Sequence, residues 1–129
     1  MFPTFTGRRE LVVAECLPRV ADRVAPGDVV ICVRPVNPSE NVIKRVAAVA
    51  GGTVVLYDHG GPPGGAGAGV STLTVPKGHI WLEGDNLPLS RDSREYGPVP
   101  LALVRGRGVA QLWPSVKAIE SRPPAGFPP

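Results

Sequence analysis

Hydrophobic positions along the chain come in short runs broken by Gly, Pro and Asn, and the spacing inside the runs is that of strands. Leu11–Glu15 is a short β-rich run, followed at 19–26 by a polar stretch with no sustained helical period. Pro26-Gly27-Asp28 predicts a turn, and the continuously apolar Val29-Val30-Ile31-Cys32-Val33 predicts a strand buried on both faces. Two prolines and two asparagines in 35–41 predict a loop. Residues 42–50 resume as strand, and Gly51-Gly52 predicts a hairpin turn into Thr53–Tyr57, which completes a three-strand meander. Further runs lie at 70–75, 79–82 and 101–113, the first two separated by the turn residues Pro76-Lys77-Gly78. Gly106 and Gly108 inside the last run predict a bulge or close packing. No segment carries a convincing amphipathic helical pattern. The predicted class is all-β, with a coiled, partly closed antiparallel sheet.

Composition adds boundaries to this picture. Residues 58–69 are mostly Gly and Pro, cannot bury a core, and predict a flexible Gly/Pro-rich loop insertion. A phosphate cradle is disfavoured there, because no Gly-Lys-Ser/Thr follows and no helix opens. Residues 115–129 read as a Pro-rich tail without order, leaving 1–114 as one domain large enough to fold without disulfides or metal. The net charge of +3 is mild and the basic residues are scattered without aromatic interleaving, which argues against nucleic-acid binding. Cys16 and Cys32 show no metal spacing, and two free structural thiols are favoured over a bridge. No window approaches the ~18 to 20 apolar residues of a membrane span. Met1-Phe2-Pro3-Thr4-Phe5 lacks the basic and apolar regions of a signal peptide and reads like the interior of a domain.

Candidate chemistry concentrates in two places. In Trp81-Leu82-Glu83-Gly84-Asp85-Asn86-Leu87-Pro88-Leu89-Ser90-Arg91-Asp92-Ser93-Arg94, an apolar strand runs into residues that tolerate φ > 0 and make Asx turns. Asp92 lies two residues before Arg94, close enough to fold back into a charge-assisted pair that fixes the loop. The second place is Lys44, alone in an apolar strand, where alternation puts Val42, Lys44 and Val46 on one face and Ile43, Arg45 and Ala47 on the other. Burying an ammonium is costly, and desolvation can bring a lysine down to serve as a general base near neutral pH. The competing reading sets Lys44 on a solvated edge beside Glu40 or Glu83.

Taken together, Gly27-Asp28-Val29-Val30, Ile43-Lys44-Arg45-Val46, Gly78-His79-Ile80-Trp81-Leu82-Glu83-Gly84-Asp85-Asn86, Ser90-Arg91-Asp92-Ser93-Arg94 and Tyr96-Gly97-Pro98 resemble successive boxes of the type I signal peptidases. The wording of the last boxes, with Trp113-Pro114, is most similar to the mitochondrial inner-membrane branch of that family. The resemblance implies a membrane-anchored all-β domain that removes signal peptides with a serine-lysine dyad. It gives Lys44 the role of general base and Ser90 that of the hydroxyl that orients it. Asp92 and Arg94 match a structural ion pair that Arg45 joins, and Asp85 and Asn86 shape the turn that brings Ser90 to Lys44. A preprotein would add as an extended strand beside Phe2 to Phe5 and Asn41, Val42 and Ile43, with Phe5, Val42 and Ile43 lining a shallow pocket. The implied partners are that preprotein and a second, related protease subunit. The implied site of action is the intermembrane-space side of the mitochondrial inner membrane. Neither a metal nor an organic cofactor is implied.

The family's nucleophile lies in a Ser-Met-x-Pro-Thr box, with a membrane anchor further upstream. Met1-Phe2-Pro3-Thr4 matches that box from its methionine onward, so the serine falls at the position immediately before Met1. Ser39, Ser71 and Ser93 occupy positions that do not fit the role. Two expectations compete: a longer working protein carries the serine and anchor, or the chain is a catalytically dead binding or scaffold subunit of the same fold. Either way, the 129-residue chain alone is expected not to cut peptides. A soluble self-cleaving repressor-type domain shares the chemistry, but a DNA-binding module and a cleavable linker are not visible.

Overall fold

The strand β2 (Val29–Arg34) runs through the middle of the sheet, and its apolar composition follows from that position. In the computed structural model, residues 1, 4–5, 9–57, 69–86, 89–113 and 115–121 are described. Phe2, all but Gly69 of the expected loop at 58–69, and residues 122–129 lie outside them. Val29, Val30, Cys32 and Val33 are buried, as a strand flanked on both edges and covered on both faces requires. Its neighbours are β3 (Asn37–Val49) and β8 (Val104–Trp113), both antiparallel to it. The sheet continues outward as β1 (Leu11–Glu15) beyond β8, and as β6 (His79–Glu83) and β7 (Val99–Pro100) beyond β3. The architecture is all-β and antiparallel, with no closed barrel among the described residues.

Three expectations are corrected. The loop expected at 35–41 is a two-residue turn, and β3 already begins at Asn37 and runs through Pro38. Pro38 is accommodated because this half of β3 has a partner along one edge only, so a missing N–H can face outward. The three-strand meander does not form. β4 (Thr53–Tyr57) leaves the sheet after Gly51-Gly52 and pairs only with β5 (Val70–Thr74). Val75 reverses that hairpin onto the turn, with its N–H on the Gly52 carbonyl and its carbonyl receiving the Gly51 N–H. Burial of Val54 and Val75 against Ala47, Ala48 and Trp81 gives the hairpin a small core of its own. Finally, the segment after Pro114 is not all tail: β9 (Lys117–Ala118) pairs with β8 on the edge that β2 leaves free.

The main core joins Val30, Cys32, Val46, Ile80, Leu82, Val99 and Val104 with Val20. Gly106 earns its place by close packing, since a Cβ there would sit 2.9 Å from Cys16 Sγ and 3.2 Å from Ala14 Cβ. Both thiols are free, Cys16 exposed and Cys32 buried.

Candidate active site

Adjacent residues of β3 face opposite ways, and the site is built on that alternation. Val30 stands opposite Lys44 and Val29 opposite Arg45, so Lys44 shares the face of the main core while Arg45 points to the other side. β6 pairs with β3 from Arg45 onward and then departs at Gly84, which brings the following loop across Lys44. That loop is held by Asp92. Its carboxylate accepts from the Gly84 N–H at 3.0 Å and from the Arg94 N–H at 3.2 Å, capping α1 (Ser93–Tyr96), a single helical turn. Arg94 closes a two-pronged pair on the same carboxylate, Nε to Oδ1 at 2.9 Å and Nη2 to Oδ2 at 3.0 Å. Ser93 is buried and accepts the Leu82 N–H at 2.9 Å, which locks the loop back onto β6.

So fixed, the loop delivers Ser90 to Lys44. The Lys44 Nζ donates to Ser90 Oγ at 2.8 Å, and Ser90 is in turn hydrogen-bonded to Asp92. Burial of Lys44 pushes its pKa below the ordinary lysine value, and the charges of Arg34 and Arg94 push it further down. The charge of Asp92 pulls the other way without reversing the shift. For Asp92 itself, burial raises the carboxyl, but Arg94, Ser90 and the two amides outweigh it and hold it below its usual range. The Cys32 thiol is pushed up to about 11 by burial and stays neutral beside the amine. The Met1 amino group is depressed too, first by burial and then by the Lys44 charge, so the first residue lies within electrostatic reach of Lys44.

The solvated-edge reading of Lys44 fails on its partners. Glu40 pairs with Arg34 at 2.5 Å, and Glu83 is buried and accepts the Trp81 Nε1–H at 3.1 Å. Arg45 does not join the Asp92–Arg94 pair, because it lies on the opposite face. It makes its own buried pair with Asp85, Nε to Oδ1 at 2.7 Å and Nη2 to Oδ2 at 3.0 Å, both side chains nearly inaccessible. Its Nη1 donates to the Gly27 and Glu120 carbonyls, and Thr4 is held by both Arg45 and Asp85. Asn86 is half-buried in the bend that follows.

The expected peptide pocket comes together only in part. Val42 packs against the main core, whereas Ile43 faces the other way opposite Ile31, so the two cannot line one surface. Phe5 is buried and Asn41 exposed. Sequence reasoning missed Thr4, although it stands in the Met-x-Pro-Thr box, and it misjudged Gly84. No residue of Gly84-Asp85-Asn86 has positive φ. Gly84 is needed for space: a Cβ would lie on Ser90 Oγ, 2.6 Å from Ser90 Cβ and 3.5 Å from Lys44 Nζ.

An antiparallel β domain with a depressed, half-buried lysine held by a loop hydroxyl is the arrangement these residues build. Residues 65–113 match the family model "Signal peptidase, peptidase S26". A crystallised signal peptidase I from Enterococcus faecalis superposes with a TM-score of 0.50 and 26% identity, over 64% of this chain and 94% of that one. Mitochondrial ATP-independent inner membrane protease subunit 1a of Arabidopsis thaliana is 38% identical over 114 residues, 88% of this chain and 66% of that protein. Mitochondrial inner membrane protease subunit 1 of Schizosaccharomyces pombe is 36% identical over 115 residues, 88% of this chain and 68% of that protein. The chain belongs to the signal peptidase family, in the branch of the mitochondrial inner membrane protease subunit 1 proteins. It spans about two thirds or less of the length of the curated relatives it matches. Among the described residues, no helix is long and apolar enough to cross a membrane.

Proposed function

We propose that the chain is the catalytic β domain of a signal-peptidase-type serine endopeptidase that removes presequence peptides from proteins sorted to the mitochondrial intermembrane space. Lys44 is the general base. The hydroxyl it activates belongs to a serine joined to the Met1 nitrogen in the longer working protein, which also carries the anchor in the inner membrane. The observation that carries this reading is the Lys44 amine itself, depressed by burial and held by Ser90 Oγ at 2.8 Å. One N–H of the neutral amine is committed to Ser90, so its lone pair is left to take the serine proton. The serine oxygen then attacks the scissile carbonyl, Lys44 returns the proton to the leaving amine, and water cleaves the acyl-enzyme by the same route. No metal or organic cofactor takes part in this scheme.

The substrate is an extended peptide. Residues 37–43 of β3 have no partner along their second edge among the described residues, which supports addition of a strand there, beside Asn41 and the Ile31/Ile43 surface. Phe5, which is buried, belongs to the opposite wall in this reading. The similarity to both subunit 1 and subunit 2 relatives supports a hetero-oligomer with a second, related protease subunit, which this reading sets on the intermembrane-space side.

A direct test compares the 129-residue chain with a form that places Ser before Met1, using a fluorogenic peptide from a presequence junction. Cleavage is expected from the extended form only, and Lys44→Ala is expected to return it to background. Cleavage that survives Lys44→Ala would exclude this mechanism. A binding or scaffold subunit is the second reading, favoured by one observation: the hydroxyl paired with Lys44, Ser90, is tied to Asp92 and packed on Gly84. Peptide binding by the extended form without turnover would decide for it.

A further inference from the structure

The segment that follows Trp113 turns back across the face that carries Arg45 and meets the beginning of the chain. β9 pairs with β8, and the Ile119 N–H donates to the Val109 carbonyl at 3.0 Å. Ile119 packs over Gly108, where a Cβ would come within 3.2 Å of its Cδ1. From this segment the Lys117 Nζ donates to the Thr4 carbonyl at 3.1 Å, and the Glu120 carbonyl receives Arg45 Nη1 at 2.9 Å. Thr4 is therefore gripped by Asp85 and Arg45 through its side chain and by Lys117 through its backbone. Behind the segment, Ile119 and Ser121 form one wall of a cavity of about 200 Å³ shared with Asp28, Val29 and Arg107.

The geometry points to residues 117–120 as a brace that sets the first residues against Lys44, with Lys117 as a positioning residue. This rests on the proposed reading, in which the attacking hydroxyl hangs from the Met1 nitrogen. Lys44 is held by Ser90 Oγ rather than by this segment, so in the proposed reading the brace acts on the first residues. Thr4 lies three residues from that nitrogen, and the Phe5 N–H closes a turn onto the Met1 carbonyl at 3.0 Å. A displacement of Thr4 is therefore passed to Met1 through one short turn. Misplacement of a reacting group by about 1 Å costs roughly 100-fold in rate, so one hydrogen bond here has leverage on turnover.

Lys117 is exposed, so its variants fold, and Lys117→Met keeps the stem while removing the donor. In the 129-residue chain, amide hydrogen exchange at Phe5 is expected to quicken about tenfold in Lys117→Met while Val46 and Leu82 are unchanged, and Lys117→Arg is expected to restore it. In the serine-extended chain, Lys117→Met is expected to lower kcat by roughly 10- to 100-fold with KM nearly unchanged, and Lys117→Arg to recover it. Unchanged exchange at Phe5, or a kcat equal to the parent's, overturns the brace. If the extended parent itself shows no turnover, the catalytic reading falls and the exchange measurement alone decides whether Lys117 holds the first residues.

Discussion

Gly84 shows how much of the Lys44–Ser90 arrangement can depend on a missing methyl group. Nothing about its backbone requires glycine, since its φ is ordinary. What requires it is Ser90, whose Oγ and Cβ occupy the space a Cβ would take, with Lys44 Nζ just beyond. Gly84→Ala must push the 89–92 loop outward, against the grip of Asp92 on the Gly84 amide. We expect urea denaturation to show a loss of about 1–3 kcal/mol, the usual cost of overpacking a tight site. The Lys44–Ser90 hydrogen bond should break in the same variant. A crystal structure of Gly84→Ala with Ser90 unmoved would refute this account. Turn propensity led to the same residue for a different reason, because a sequence reveals that glycine is permitted but not which neighbour excludes everything else.

At the scale of the element, β3 carries two functions on two faces. One face presents Lys44 to the core side. The other presents Arg45, which gathers the Gly27 turn, Asp85 of the loop after β6, Thr4 near the start and Glu120 near the end. Arg45→Met would leave the Asp85 carboxylate nearly inaccessible and without its guanidinium. Breaking such a buried pair typically costs about 3–5 kcal/mol, and Arg45→Met also removes the donors to the Gly27 and Glu120 carbonyls, so it should lower the unfolding midpoint further than Asp85→Asn, which keeps them. Equal midpoints for the two variants would show that those carbonyl contacts hold nothing. The strands themselves were legible: the runs at 11–15, 29–33, 53–57, 70–75 and 79–82 fall on β1, β2, β4, β5 and β6. Alternation also placed Lys44 and Arg45 on opposite faces. The partner of each strand was not legible, because pairing is decided by long-range contacts such as Val54 and Val75 on Trp81, which no local pattern contains. The same limit hid the partner of Arg45, and it let Val42 and Ile43 be assigned to one pocket despite their alternation.

For the whole molecule, the site's charges shape the dependence of stability on pH. Lys44 has a folded pKa below its unfolded value of about 10.4, so burying its ammonium costs stability at any pH below the folded value. That cost shrinks as pH rises from the folded pKa towards about 10.4, where the unfolded chain binds more protons than the folded one. Asp92 acts at the other end: its folded pKa is depressed, so its contribution is lost as pH falls from about 3.9 through the lower folded value. Denaturant midpoints measured across pH 7 to 10 should therefore rise in the parent relative to Lys44→Met, and parallel curves would contradict the assignment. The β4–β5 hairpin stands apart from all of this, in a sheet of its own whose outer end is the Tyr57 and Val70 pair. Its small core touches the main sheet through Ala47, Ala48 and Trp81, on the side away from Lys44. The hairpin's outer end, at Tyr57 and Val70, is therefore a place where length can be changed without touching the Lys44–Ser90 hydrogen bond.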